Sequence, residues 1–175
     1  MNYATIKNCD IANGTGVRIS LFVSGCPHRC PGCFNSEAWD YSYGEPFTKE
    51  IQEHLLTLLA PDYISGLSLL GGEPFAPANQ PHLVSFLRRV REQYPQKNVW
   101  CYSGYTFEEL TDPSHAVHTD VTNEMLSYLD VLVDGPYVEA LYDISLRFRG
   151  SSNQRILDVP ASLEHGMPVV WNEVK

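Results

Sequence analysis

Four short apolar runs in this chain each stop abruptly at a break of cysteine, glycine, proline or turn-forming polar residues. The run at 17–23 ends before CPHRCPGC, and that at 67–70 ends at Gly71-Gly72. The run at 98–102 exits through Ser103-Gly104, and that at 131–133 breaks at Asp134-Gly135-Pro136. The first is rich in branched residues and alternates, which reads as a strand. The others are short enough to be buried strands rather than helices. Between them lie helical patterns. Thr48 is placed to cap a helix carrying Ile51, Leu55, Leu58 and Leu59. Leu83, Val84, Phe86, Leu87 and Val90 mark a second helix that ends near Tyr94-Pro95. Residues 108–110 and 123–128 are shorter helical segments, and 169–171 reads as a late strand. Strand alternating with helix is the pattern of a parallel sheet with crossover connections. In such sheets ligands gather at the carboxyl ends of the strands, so four breaks there predict one site built from distant sequence.

The first break carries the strongest chemistry. Cys26, Cys30 and Cys33 are spaced C-x3-C-x2-C, and Gly25, Pro27, Pro31 and Gly32 suit a tight loop with close backbone approach. Three thiolates at that spacing can ligate three irons of an iron–sulfur cluster. Such clusters are normally closed by four cysteines, so one iron is left for another ligand. The alternative is a zinc site completed by His28 or Cys101. Five cysteines, three of them within eight residues, make a poor disulfide framework and fit a metal site in a reducing cytosol. Cys9 and Cys101 read as an ordinary surface or core thiol.

Composition narrows the classes. With 175 residues, 43% apolar and 19% charged, the chain is an ordinary globular domain of single-domain size. Its formal charge of −9 argues against a general nucleic-acid binder. No apolar stretch approaches the ~20 residues that span a bilayer. The start, MNYATIKNCD, has no apolar signal core, so the expectation is a cytoplasmic protein without membrane contact.

Several segments together carry a resemblance. NGTGVRISLFVSGCPHRCPGCFN, GLSLLGGEP, YSGY, VLVDGPY and FRGSSNQR run in order from Asn13 to Arg155. The first resembles the cluster loop of radical S-adenosylmethionine enzymes. The set as a whole resembles the activating proteins of anaerobic ribonucleoside-triphosphate reductase. The residue before the third cysteine is usually aromatic in the wider superfamily; here it is Gly32, as in the narrower family. From about residue 157 the tail has no counterpart in the resemblance. Two other readings stay open: another small radical enzyme, such as one making deazaguanine precursors from a pterin, and a non-catalytic metal-binding module.

The resemblance implies a fold, a chemistry and a site. The fold is α/β, a partial, open (β/α) barrel of parallel strands over a single domain of residues 1–175. A closed eight-stranded barrel takes roughly 250 residues, more than this chain has. The cofactors implied are a 4Fe-4S cluster on Cys26, Cys30 and Cys33, and S-adenosylmethionine on the open iron. Reductive cleavage there makes a 5′-deoxyadenosyl radical, which takes hydrogen from a glycine of anaerobic ribonucleoside-triphosphate reductase. The electron comes from a one-electron donor such as flavodoxin or ferredoxin. Gly71, Gly72 and Glu73 fit acceptance of hydrogen bonds from the methionine amine, since a carboxylate matches a cationic amine. Gly32, Cys33 and Phe34 would hold the adenine, with Phe34 either covering it or lying in the core. Asp134 stands where the family carries an acidic residue near the ribose or methionine end; a plain turn aspartate is the other reading. Arg18, Arg147, Arg149 and Arg155 are read as solvated or structural, a carboxylate or phosphate contact being the other reading, and Tyr102, Tyr105, Tyr137 and Tyr142 as packing or a groove for a partner loop.

Overall fold

The computed structural model describes residues 1–172. Its strands are β1 (Asn2–Asp10), β2 (Val17–Val23), β3 (Glu45–Pro46), β4 (Ile64–Gly71), β5 (Asn98–Tyr102), β6 (Val131–Asp134) and β7 (Arg155–Asp158). Its helices are α1 (Lys49–Leu59), α2 (Gln80–Gln93), α3 (Phe107–Thr111), α4 (Thr122–Ser127) and α5 (Val159–His165). All seven strands share one sheet in the order β3-β1-β2-β4-β5-β6-β7.

The expected alternation of strand and helix is present between residues 17 and 134. Thr48 caps α1 through its side-chain oxygen, which accepts from the Ile51 amide. Its buried face is Leu55, Leu56 and Leu59. The face of α2 includes Leu83, Phe86, Leu87 and Val90, all fully buried. The pairs β2–β4, β4–β5 and β5–β6 are parallel.

The expectation that all strands are parallel needs correction, because the sheet is mixed. β1 runs antiparallel to both β2 and β3, and β7 runs antiparallel to β6. These flanking strands are less buried, which is why their sequences lack a continuous apolar run. β1 has no fully buried residue and β7 has only Leu157. A strand buried on one face or neither carries polar residues that mask its periodicity.

The tail is structured up to the last described residue. Residues 169–171 do not form a full strand. They make one bridge, Val170 to Leu157, supported by Asp158 N–H to Val169 O at 2.9 Å and Trp171 N–H to Ile156 O at 2.8 Å. α5 is capped by Asp158, whose side chain accepts from the Ala161 amide, and it ends at Gly166 with φ 65°.

Side chains alternate across the sheet. Ile19, Leu21, Val23, Leu67, Leu69, Val99 and Cys101 join the helices in the main core. The opposite face carries Trp100, Val131 and Val133, packed with Tyr102, Phe148, Ile156 and Trp171. On that second face Arg18 is fully buried. Its guanidinium donates to Ser68 Oγ (2.7 Å), Thr15 O (3.0 Å), Asn98 Oδ1 (2.6 Å), Leu67 O (2.7 Å) and Asn98 O (3.3 Å). It also lies 5.5 Å from the Trp100 ring centroid. Burial pulls its pKa down to about 10, so it stays charged at neutral pH. Arg18 therefore ties the 13–16 turn to β4 and β5, a structural role. Replacing it leaves several buried acceptors without donors and opens a void. Arg18→Ala is expected to cost about 3 kcal/mol or more, read as a lowered urea midpoint at unchanged slope. An unchanged midpoint would contradict this role.

Candidate functional site

The parallel register sets the site. Val23 pairs with Gly71, so the two strands finish level and their following loops start side by side. The ladder continues past both ends: Gly72 N–H donates to Val23 O at 2.7 Å, and Glu73 N–H to Gly25 O at 2.8 Å. Gly71 has φ 103°, a backbone that L side chains rarely adopt. At Gly72 a Cβ would sit 2.7 Å from Gly25 O and 3.0 Å from Ala38 O, so the close approach of the two loops requires glycine there.

A cavity of about 190 Å³ opens at these strand ends. Its walls come from all four breaks: Cys26, His28, Cys30 and Cys33 after β2, and Gly71, Gly72 and Glu73 after β4. Tyr102, Ser103 and Gly104 follow from β5, and Gly135 and Tyr137 from β6. Gly150 and Gln154, from FRGSSNQR, close the far side. Gln154 accepts from the Gly150 and Ser151 amides and donates to Gly135 O at 3.0 Å, which binds that segment to the β6 exit. One of the lining residues, Tyr102, has a buried hydroxyl with no hydrogen-bond partner among the described residues.

The cysteines are half-buried thiols. Burial pushes Cys26 up to about 11 and raises Cys30 as well, so both are neutral until a metal displaces their protons. Neither residue offered as the fourth zinc ligand stands ready for it. His28 directs Nε2 to Glu73 Oε2 at 2.9 Å. Cys101 is fully buried in the core, with its thiol toward Tyr102 O at 3.8 Å. Among the described residues no three His, Cys, Asp or Glu side chains close around a single ion. A four-iron cluster is larger than one ion and takes one thiolate per iron, so three cysteines set around one cavity fit it.

Glu73 is 1% exposed, and its carboxylate makes four hydrogen bonds. Oε1 accepts from Phe75 N–H (2.8 Å) and Ser103 Oγ–H (2.9 Å). Oε2 accepts from Gly104 N–H (2.7 Å) and contacts His28 Nε2. The other expected residues fall as follows. Gly32 has φ 71°, and a Cβ there would lie 2.6 Å from Glu139 Oε1. Phe34 is 70% exposed, so it is not a core residue. It leans on Tyr137 at 5.5 Å and Tyr142 at 5.8 Å beside the cavity.

Asp134 is not brought to the wall; its neighbour Gly135 is. The Asp134 carboxylate is fully buried, and it accepts from Phe107 N–H at 2.7 Å at the start of α3. It also pairs with Arg155, whose Nε lies 2.9 Å from Oδ1 and which continues to Glu108 at 2.6 Å. Arg155 and Arg149 are thus structural, the latter donating to Gln154 O at 2.7 Å. Sequence reasoning brought the Ser103-Gly104 and Asp134-Gly135-Pro136 breaks to one site without giving Ser103, Gly104 or Gly135 a role, read Tyr102 and Tyr137 as packing or a groove, and did not assign Gly150 or Gln154. The signal was there in YSGY, VLVDGPY and FRGSSNQR. Adding FRGSSNQR to the same wall required the strand order, with β7 beside β6.

Known proteins are similar to this chain over most of its length. The 4Fe-4S single cluster domain family matches residues 12–157. A protein of Vibrio cholerae is 40% identical over 158 residues, covering 89% of this chain and 97% of its own. One of Escherichia coli strain K12 is 41% identical, covering 88% and 96%. One of Enterobacteria phage T4 is 39% identical, covering 89% and 93%. Each is named anaerobic ribonucleoside-triphosphate reductase-activating protein.

The surroundings of Asp134 make a distinction testable. Asp134→Ala should lower stability by about 2 kcal/mol, since Phe107 N–H and Arg155 lose a buried acceptor. Thermal unfolding measures the loss, and an unchanged midpoint would count against a scaffold role.

Proposed function

The chain belongs to the family of anaerobic ribonucleoside-triphosphate reductase-activating proteins, and on that premise we propose that it generates the glycyl radical of such a reductase. The observation that carries this reading is the single cavity on which three cysteines and the Gly71-Gly72-Glu73 turn converge. Cys26, Cys30 and Cys33 would each bind one iron of a 4Fe-4S cluster, leaving the fourth iron for S-adenosylmethionine. A reduced cluster of that kind supplies the electron that breaks a carbon–sulfur bond of S-adenosylmethionine, giving methionine and a 5′-deoxyadenosyl radical that takes hydrogen from a glycine.

The protein's own part is placement and exclusion of water. The turn at Gly71-Gly72 brings main chain close to the cavity, because no side chain stands in the way. Phe34, Tyr137 and Tyr142 form an aromatic rim suited to covering a planar base. Gly32, Cys33 and Phe34 lie on the same stretch and would meet the adenine edge. Asp134 supports the wall through Arg155 and the start of α3.

In this reading the sheet is a partial, open barrel within one domain, with the site at its carboxyl rim. An open side admits a loop of a protein substrate. The one-electron donor is a small redox protein of the flavodoxin or ferredoxin kind. Among the described residues no helix is long and apolar enough to cross a membrane. A reducing cytosol suits the three free thiols of the site.

The test uses the cluster-loaded protein under anaerobic conditions, mixed with its reductase, a reductant and S-adenosylmethionine. A glycyl doublet in the paramagnetic resonance spectrum of the reductase is expected, and Cys30→Ala should abolish it. Turnover of a pterin without that doublet would favour the deazaguanine-type enzyme. Zinc at one per chain in a colourless protein would favour the non-catalytic module.

A further inference from the structure

The Glu73 carboxylate has no free acceptor position. A carboxylate offers about four lone-pair sites. Here they meet Phe75 N–H, Ser103 Oγ–H, Gly104 N–H and His28 Nε2, all between 2.7 and 2.9 Å. The donors come from three separate loops, after β2, β4 and β5. A side chain so engaged would have to give up a bond in a buried setting to receive a ligand amine, and an abandoned buried donor is costly.

The contact with His28 has a particular place in the fold. His28 lies between two of the three cysteines. The bond of His28 to Glu73 ties the loop to the ends of β4 and β5, and Cys30 also meets the main chain of Tyr137, after β6. The loop's main-chain bonds to its surroundings lie at its start, Gly25 N–H to Ala38 O at 2.8 Å and Cys26 N–H to Trp39 O at 3.2 Å. The His28 ring is seated edge-on against Tyr105, with centroids 4.3 Å apart. It also covers Gly104 so closely that a Cβ there would come 2.5 Å from the ring. Arg29, the next residue, has φ 49°, a left-handed backbone conformation directly after this anchor.

We propose that Glu73 is a positioning residue, which clasps the cysteine loop to the ends of β4 and β5 through His28 rather than receiving the amine of the bound cofactor. This departs from the role the sequence suggested for Glu73, and it rests on the cluster reading of the three cysteines. In this arrangement His28 fixes where Cys26 and Cys30 stand relative to the cavity. Groups that orient metal ligands from outside typically matter by about 10- to 100-fold in metal retention.

The test compares the anaerobically loaded protein with Glu73→Gln, His28→Ala, His28→Gln and Gly104→Ala variants. Three quantities are read: the rate of iron release to a chelator, the paramagnetic spectrum of the reduced cluster, and the affinity for S-adenosylmethionine. Gly104→Ala displaces the imidazole without altering Glu73 or His28, and it keeps the test alive if Glu73→Gln fails to fold. His28→Ala and Gly104→Ala should release iron roughly tenfold faster and shift the cluster spectrum. Glu73→Gln should behave likewise, with any loss of S-adenosylmethionine affinity tracking the cluster change. His28→Gln, which keeps a side-chain N–H donor, should restore most of the retention. The proposal is overturned if Glu73→Gln weakens S-adenosylmethionine binding while iron release and spectrum stay as in the unmutated protein. It is overturned equally if His28→Ala retains iron normally, or if His28→Gln fails to improve on His28→Ala. If the unmutated protein takes up no iron, the cluster reading itself falls, which is a separate and recognisable outcome.

Discussion

Everything at the site depends on the parallel pairing of β2 with β4. Its register brings Val23 level with Gly71, and two further main-chain bonds, from Gly72 to Val23 and from Glu73 to Gly25, carry the pairing into the loops. The cysteine loop is thereby fastened to the glycine turn by backbone. A slip of one residue would turn the inner side chains of β2 to the opposite face. It would also part the cysteines from the turn. The buried packing of Ile19, Leu21, Leu67 and Leu69 holds this register, so core and chemistry share one constraint.

The two faces of the sheet do different work. The helix-covered face is apolar and supplies cohesion. The other face carries Arg18, Ser20 and Ser68 beside Trp100, with every one of these buried. Arg18 resolves its charge by donating to oxygens of three segments and by lying on the Trp100 ring. A rigid floor of that kind lets the loops above it be irregular without losing position. FRGSSNQR then acts as a wall. Phe148 packs on Trp100, Gln154 ties to Gly135, and Arg155 holds the Asp134 carboxylate.

The central strands were legible because a strand buried on both faces shows as an apolar run with abrupt ends. Residues 17–23 and 98–102 coincide with β2 and β5. β1 was illegible because NYATIKNCD is half exposed and takes its order from β2. α5 carried its signals, Asp158, Pro160 and Gly166, but its seven residues are too short for periodicity to speak. At the site, the three cysteines and the glycine turn could be read from spacing. The partners of Glu73 could not, because they lie at residues 28, 75, 103 and 104 and meet only when the loops are in register. The partner of Asp134 is hidden for the same reason: it is Arg155, which only the antiparallel pairing of β7 brings alongside.

The central claim is that three cysteines leave one iron open and that this opening is where the cofactor binds. The most direct measurement is the paramagnetic resonance spectrum of the reconstituted, reduced protein before and after S-adenosylmethionine is added. A signal of one cluster per chain whose g-values shift on addition is the predicted result. A cluster signal that S-adenosylmethionine leaves unchanged would contradict it.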